Sequence, residues 1–125
     1  MKWLDRRIAK PGPYLTLCLS KEEYIQAAKH CKVEYPDPWI LGETSDATTH
    51  VFYNDEYGLI TVVCLKLTGD LTAIEIAGLL IHEAVHCWQR YADSIGEASP
   101  GREQEAYAIQ SISIELLDEY ARRLG

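Results

Sequence analysis

The 125-residue sequence predicts an α+β domain, and three features carry that prediction. Three short β-rich segments and three segments with helical start signals follow in the order strand, helix, strand, strand, helix, helix. The second and third strands adjoin across a four-residue turn ending in glycine, so they read as a β-hairpin. The last two helices are long and separated by a short link. Runs of like elements of this kind give helices packed on one face of a small sheet rather than an alternating βα array.

Each element has its own local signal. Residues 13–19 (PYLTLCL) alternate, with Leu15, Leu17 and Leu19 on one side, as in a half-buried strand. Ser20-Lys21-Glu22-Glu23 has the pattern of a capping box, with Leu19 and Tyr24 as its hydrophobic staple, so a helix is expected from Ser20 to about Cys31. Pro36-Asp37-Pro38 breaks the chain into a loop reaching about Asp46. Residues 47–54 (ATTHVFYN) and 59–67 (LITVVCLKL) are rich in β-branched and aromatic residues and flank the turn Asp55-Glu56-Tyr57-Gly58. Thr72-Ala73-Ile74-Glu75 is a second capping box, stapled by Leu71 and Ile76, and opens a helix running to about Ser94 and closing near Gly96. Ser99-Pro100 places a cap and then a proline at the first helical position, so the last helix should run from there to about Arg123.

Composition fixes the class. With 47% hydrophobic and 25% charged residues, residues 1–125 read as one globular domain able to close its own core. A net charge of -7 repels phosphate backbones and anionic lipid, which argues against nucleic acid and membrane surfaces as partners. Lys2, Arg6 and Arg7 lead into Ile8-Ala9-Lys10-Pro11 rather than an apolar run, so no secretory signal is expected, and no stretch is apolar enough to span a membrane. Cys18, Cys31, Cys64 and Cys87 form no C-x-x-C pair and each sits in an apolar pattern; buried, reduced thiols of a cytoplasmic protein are expected.

One helix breaks the rule that charge stays outside. Residues 74–88 read IEIAGLLIHEAVHCW, and between Glu75 and Arg90 the only ionisable groups besides Cys87 are His82, Glu83 and His86. So apolar a helix is expected to be mostly buried. A buried carboxylate and two imidazoles need partners, and a metal ion suits this set. Residues four apart stack on one helix face, so His82 and His86 converge on one ion. Glu83 lies about 100° round the helix, free to hold a water and take its proton. The H-E-x-x-H pattern needs this division between two ligands and one base.

A catalytic zinc takes a third protein ligand. Glu105 falls in line with Ile109, Ile112 and Leu116 on the last helix and so faces inward, where an antiparallel helix pair would bring it near His86. Glu103 projects on a neighbouring face and is the alternative.

With HEAVH on one helix and EQEAYAIQ on the next, residues 78–112 resemble the gluzincin class of zinc metallopeptidases. They are similar in particular to the very small single-domain members often encoded by phages and prophages. The resemblance implies a zincin-like minimal domain, with a hairpin packed against the H-E-x-x-H helix and an antiparallel helix following. It implies His82, His86 and Glu105 as zinc ligands and Glu83 as general base, acting on a peptide or protein substrate. The resemblance does not extend to the large second domain of the well-known gluzincins, so a deep substrate cleft is not expected. Two other functions fit the residues: a metal-stabilised binding module with little hydrolysis, and an amidase acting on non-peptide substrates. The strand at 59–67 is the expected partner of an extended substrate.

Other residues have plainer readings. His50 is expected to be structural, Trp39 a loop anchor and His30 solvated. Tyr53, Tyr91 and Tyr107 are conceivable oxyanion partners but read as ordinary packing residues. Glu22, Glu23, Asp118 and Glu119 read as solvated helix faces.

Overall fold

The computed structural model describes residues 14–54, 56, 58–96 and 101–124. Pro13, Asp55 and Tyr57 of the hairpin turn, and the Ser99-Pro100 cap lie outside the described residues. The elements are β1 (Tyr14–Cys18), α1 (Lys21–His30), β2 (Ala47–Asn54), β3 (Gly58–Leu65), α2 (Ala73–Ser94) and α3 (Arg102–Leu124). This is an α+β arrangement of three helices and one three-stranded mixed sheet.

The sheet order is β1-β3-β2. β2 and β3 pair antiparallel from Ala47 opposite Leu65 to Asn54 opposite Gly58, which is the expected hairpin. β1 pairs with β3 in parallel, Tyr14 opposite Ile60 and Cys18 opposite Cys64. β3 is therefore central, with both edges used. It cannot add an extended substrate as expected; the outer edge of β2 is the one that no strand covers on the hairpin side among the described residues.

Both faces of the sheet are covered. Leu15, Leu17, Leu19, Val63 and Leu65 pack against Ile76, Leu80, Ala84 and Cys87 of α2 and Leu116 of α3. On the opposite face Cys18, Phe52, Ile60, Val62 and Cys64 pack against Tyr24, Ala27, Ala28 and Cys31. The expectation of helices on one face fails because α1 crosses to the other side between two parallel strands, as a parallel connection requires. For the same reason β1 is buried on both faces, with Thr16 and Cys18 as inaccessible as Leu17. The four cysteines are buried and joined by no disulfide, as expected.

The helix starts follow the capping logic. Thr72 Oγ1 accepts from the Glu75 amide at 3.1 Å and the Glu75 carboxylate accepts from the Thr72 amide at 2.9 Å, closing the box that opens α2. At α1 the box is displaced. Ser20 accepts from the Glu23 amide, but the Glu23 carboxylate reaches the Leu19 amide at 2.9 Å and pairs with Arg123 of α3. Glu23 is thus a tie between the start of α1 and the end of α3, not the solvated side chain expected. Glu119 is likewise 2% exposed, where the Arg122 guanidinium holds it with two hydrogen bonds. On α3 Ala106 is exposed, while Ile112 and Leu116 pack inward as expected and Tyr120 packs beside them.

His50 is structural, as expected. It is 6% exposed, its Nε2 meets the Trp39 carbonyl at 2.8 Å, and its ring lies 4.5 Å from that of Tyr24. Tyr24 in turn donates to the Asp37 carbonyl at 2.7 Å. These contacts anchor the loop ahead of β2.

Two outcomes check the core and the tie. Leu116→Ala, at 0% exposure, should cost about 2–5 kcal/mol in urea unfolding, whereas Ile114→Ala, at 55% exposure, should change stability by no more than about 0.5 kcal/mol. The second concerns pH. Burial pushes the Glu23 carboxyl up, but hydrogen bonds from Arg123 and the Leu19 amide outweigh it and hold it below its ordinary value of 4.5. A depressed pKa stabilises the fold above the ordinary value, and that contribution is lost as pH falls through the folded value. Glu23→Gln should therefore lower the melting temperature at pH 7, with the gap to wild type closing as melts are taken at pH below 4.5.

Candidate metal centre and its cleft

The winding of α2 sets the site. Ile76, Leu80, Ala84 and Cys87 point into the core at helical spacing, so residues on the opposite side must face out. His82 and His86 are exposed, whereas Glu83, one residue further round, is 5% exposed. The helix is thus less buried than its composition suggested. The sheet covers one side and α3 another, leaving an open stripe of Ile74, Gly78, Ile81, His82, His86 and Gln89.

The two histidines converge. His82 Nε2 and His86 Nε2 stand 3.1 Å apart, with ring centroids 4.8 Å apart and nearly perpendicular planes. Two nitrogens bound to one tetrahedral zinc stand roughly 3.3–3.4 Å apart, so the pair already has close to the bite of a chelate. Gln89 Oε1 lies 3.2 Å from His86 Nδ1. With Nδ1–H donated there, the Nε2 lone pair of His86 is left for an ion, as carbonyl partners of metal-ligating histidines arrange.

Glu83 is fixed separately. The Thr49 hydroxyl, reaching down from β2, lies 2.7 Å from Glu83 Oε1 and 3.4 Å from its backbone carbonyl. The short bond to the carboxylate is the one its single proton makes. Thr49 thereby selects one orientation of the carboxylate and engages only one of its oxygens. Cys87, beside Thr49 and Thr61, faces the core and not the histidine stripe, and burial pushes its thiol up to about 12.

The third expected ligand is not joined to the pair. Glu105 sits at the start of α3, half-buried, and its Oε2 accepts from the Trp88 indole N–H at 2.8 Å. This contact confirms that α3 runs back along α2 and that Glu105 turns inward, as its periodicity predicted. The indole side of α2 lies away from the His82–His86 stripe, however. Among the described residues no three of His, Cys, Asp and Glu gather as a metal cluster. Glu103 is exposed on the outer side of α3. Tyr53 and Tyr107 are largely exposed, at 71% and 64%.

A cleft of about 510 Å³ opens beside His82 and Glu83. Its walls come from the start of α2 (Leu71, Glu75, Gly78, Leu79) and from residues 44–47 leading into β2. Sequence reading missed three contributors here. Gln89 stands one turn beyond His86, a spacing that could have marked it. Thr49 shares the sheet face of Ala47, the face turned to α2, and strand alternation could have picked it out. Asp46 gives no local signal, because its place depends on how the loop meets α2.

No family model matches the chain, and neither a curated protein nor a solved structure matches it.

The donor set fits zinc in its two histidines. Titrated with Zn²⁺ in a calorimeter, the protein should bind about one ion per chain, and His82→Ala and His86→Ala should each weaken binding at least tenfold, on the order of 1.4 kcal/mol, with the helical CD spectrum unchanged. Binding should also raise the melting temperature and weaken in mild acid, because a protonated imidazole cannot ligate. A protein that folds and yet takes up no zinc at neutral pH would remove the metal centre altogether.

Proposed function

We propose that the chain is a zinc-dependent peptidase of zincin-like, gluzincin type, with His82 and His86 as ligands and Glu83 as general base. One observation carries the reading. The two Nε2 atoms converge at 3.1 Å on the open face of α2, while the intervening carboxylate is buried and held by Thr49 rather than by the histidines. Two donors are thus left for an ion and one carboxylate is left for chemistry. Bound there, zinc supplies a Lewis acid that polarises a carbonyl and brings the pKa of water down to about 7.

The chain's own groups do the rest. Thr49 occupies Glu83 Oε1, so the other oxygen is free to take the proton of the attacking water and return it to the leaving nitrogen. An extended peptide lies along the outer edge of β2, in β-addition, and crosses the mouth of the cleft beside His82. Glu105 serves as third ligand through Oε1, since Trp88 engages only Oε2. That assignment needs the carboxylate to turn from the indole toward His86.

The test separates the carboxylates by role. Glu83→Gln should keep the zinc and the fold but lose most peptide cleavage, on the order of 10²–10⁴-fold. Thr49→Val should keep the zinc and lose part of the rate, with Thr49→Ser restoring it. Glu105→Ala should lower both zinc affinity and cleavage. If zinc survives Glu105→Ala but not Glu103→Ala, the ligand lies two residues earlier. If zinc-loaded wild type cleaves nothing in a broad peptide library, the hydrolase reading falls and a metal-stabilised binding module takes its place.

A further inference from the structure

Gly78 is out of place by the usual rules of helices. It lies inside α2, one turn before His82, where glycine costs about 1 kcal/mol relative to alanine. No packing demands it, because a Cβ built there meets nothing within 4 Å. Its backbone is not in the left-handed region that favours glycine. What the missing side chain does is keep open one wall of the cleft, between Leu79 and Glu75.

The cleft has two chemistries. Leu71, Leu79 and Ala47 give it an apolar lining, and Asp46, just ahead of β2, and Glu75, in the first turn of α2, join Glu83 as its acidic lining residues. No lysine or arginine is among the residues that line it. Glu75 is charged at neutral pH, because the Thr72 amide it accepts from holds its carboxyl below the ordinary range. The distances also agree. From Thr49 back to Asp46 is about 10 Å of strand, and from His82 back to Glu75 is about 10 Å of helix. Asp46 and Glu75 therefore stand at the same end of the site, each about 10 Å along its own segment from Thr49 or His82.

We propose that this cleft is a specificity subsite for a lysine or arginine side chain, its alkyl stem passing over Gly78 between Leu71 and Leu79 and its cation held by Asp46 and Glu75. Long basic side chains suit such a slot, since they bury an apolar stem and keep the charged end among carboxylates. The subsite rests on the peptidase reading for its purpose but not for its existence, and it has a binding test of its own.

The probes are n-butylguanidinium and n-butylammonium, with n-butanol as the neutral control, titrated into the zinc-loaded protein and followed by amide NMR. The cations should shift Ala47, Gly78 and Leu79 in a saturable manner, and n-butanol should bind at least tenfold more weakly. Asp46→Asn with Glu75→Gln should remove that difference. Glutamine still serves the capping box and the Asp46 backbone carbonyl still accepts from Lys66, so the fold is kept. Gly78→Leu should block all three probes, and Gly78→Ala should raise stability while narrowing the slot. In peptide cleavage, a lysine or arginine beside the scissile bond should raise kcat/KM at least tenfold over alanine, and the double variant should flatten that preference. Equal binding of the cation and the alcohol, or cleavage indifferent to basic residues, would overturn the subsite. Saturable, cation-selective binding without any peptide cleavage would uphold the subsite and overturn the peptidase reading instead.

Discussion

The period of one helix governs the arrangement of the site. α2 is held on two sides, by the sheet through Leu80, Ala84 and Cys87 and by α3 through Leu116 and the Trp88–Glu105 hydrogen bond. Once those residues are inside, a 3.6-residue turn leaves His82 and His86 stacked on the open side and sends Glu83 toward the sheet. Two exposed imidazoles and one buried carboxylate come from five consecutive residues for that reason alone. Exchanging His82 with Glu83 would bury a histidine and expose the acid.

Burying Glu83 has a cost that the fold must offset. A carboxylate 5% exposed has lost most of its water, and the Thr49 hydroxyl replaces part of it across the gap between β2 and α2. This makes the hairpin part of the site and not merely its support. Thr49 sits in the register that places it opposite Val63, whose side chain belongs to the α2-facing core. A slip of one residue in that register would turn His50 toward Glu83 and Thr49 toward α1. His50 is in turn fixed on the far face by Tyr24 and the Trp39 carbonyl, so the register is held from both sides of the sheet.

Much of this was legible in the sequence. The hairpin, the Thr72 cap, the glycine stop near Gly96 and the H-E-x-x-H stripe are local signals, and local signals report local geometry. Failures came where an answer depends on a distant partner. Glu23 reads as a solvated acid until Arg123, a hundred residues away, is seen to pair with it. β1 reads as half-buried because its own alternation cannot reveal that α1 covers its second face. The apolar composition of α2 suggested burial all round, yet Ile74 is 85% and Ile81 43% exposed. Apolar residues inside is a one-way rule, and a helix packed on two sides still has a third. The inward turn of Glu105 was readable from periodicity, but its partner was not, since Trp88 and His86 lie on different sides of the same helix.

The difference between the histidines and Glu105 is one of how each is constrained. His82 and His86 share one rigid turn, so their separation is set by the helix and changes little whether or not an ion is present. Glu105 belongs to another helix, and the Trp88 indole holds one of its oxygens. On the proposed reading the ligand set has two fixed members and one that must be recruited. Zinc affinity would then be governed largely by the free energy of turning Glu105 away from the indole, a cost that falls on the third ligand and leaves the histidine bite untouched. On that reading Trp88 would set the balance, orienting the carboxylate toward the interior of the helix pair and competing with an ion for it. Removing the indole N–H while keeping the ring's bulk would ease that competition, whereas removing the whole ring would also open the packing between α2 and α3 that brings Glu105 near.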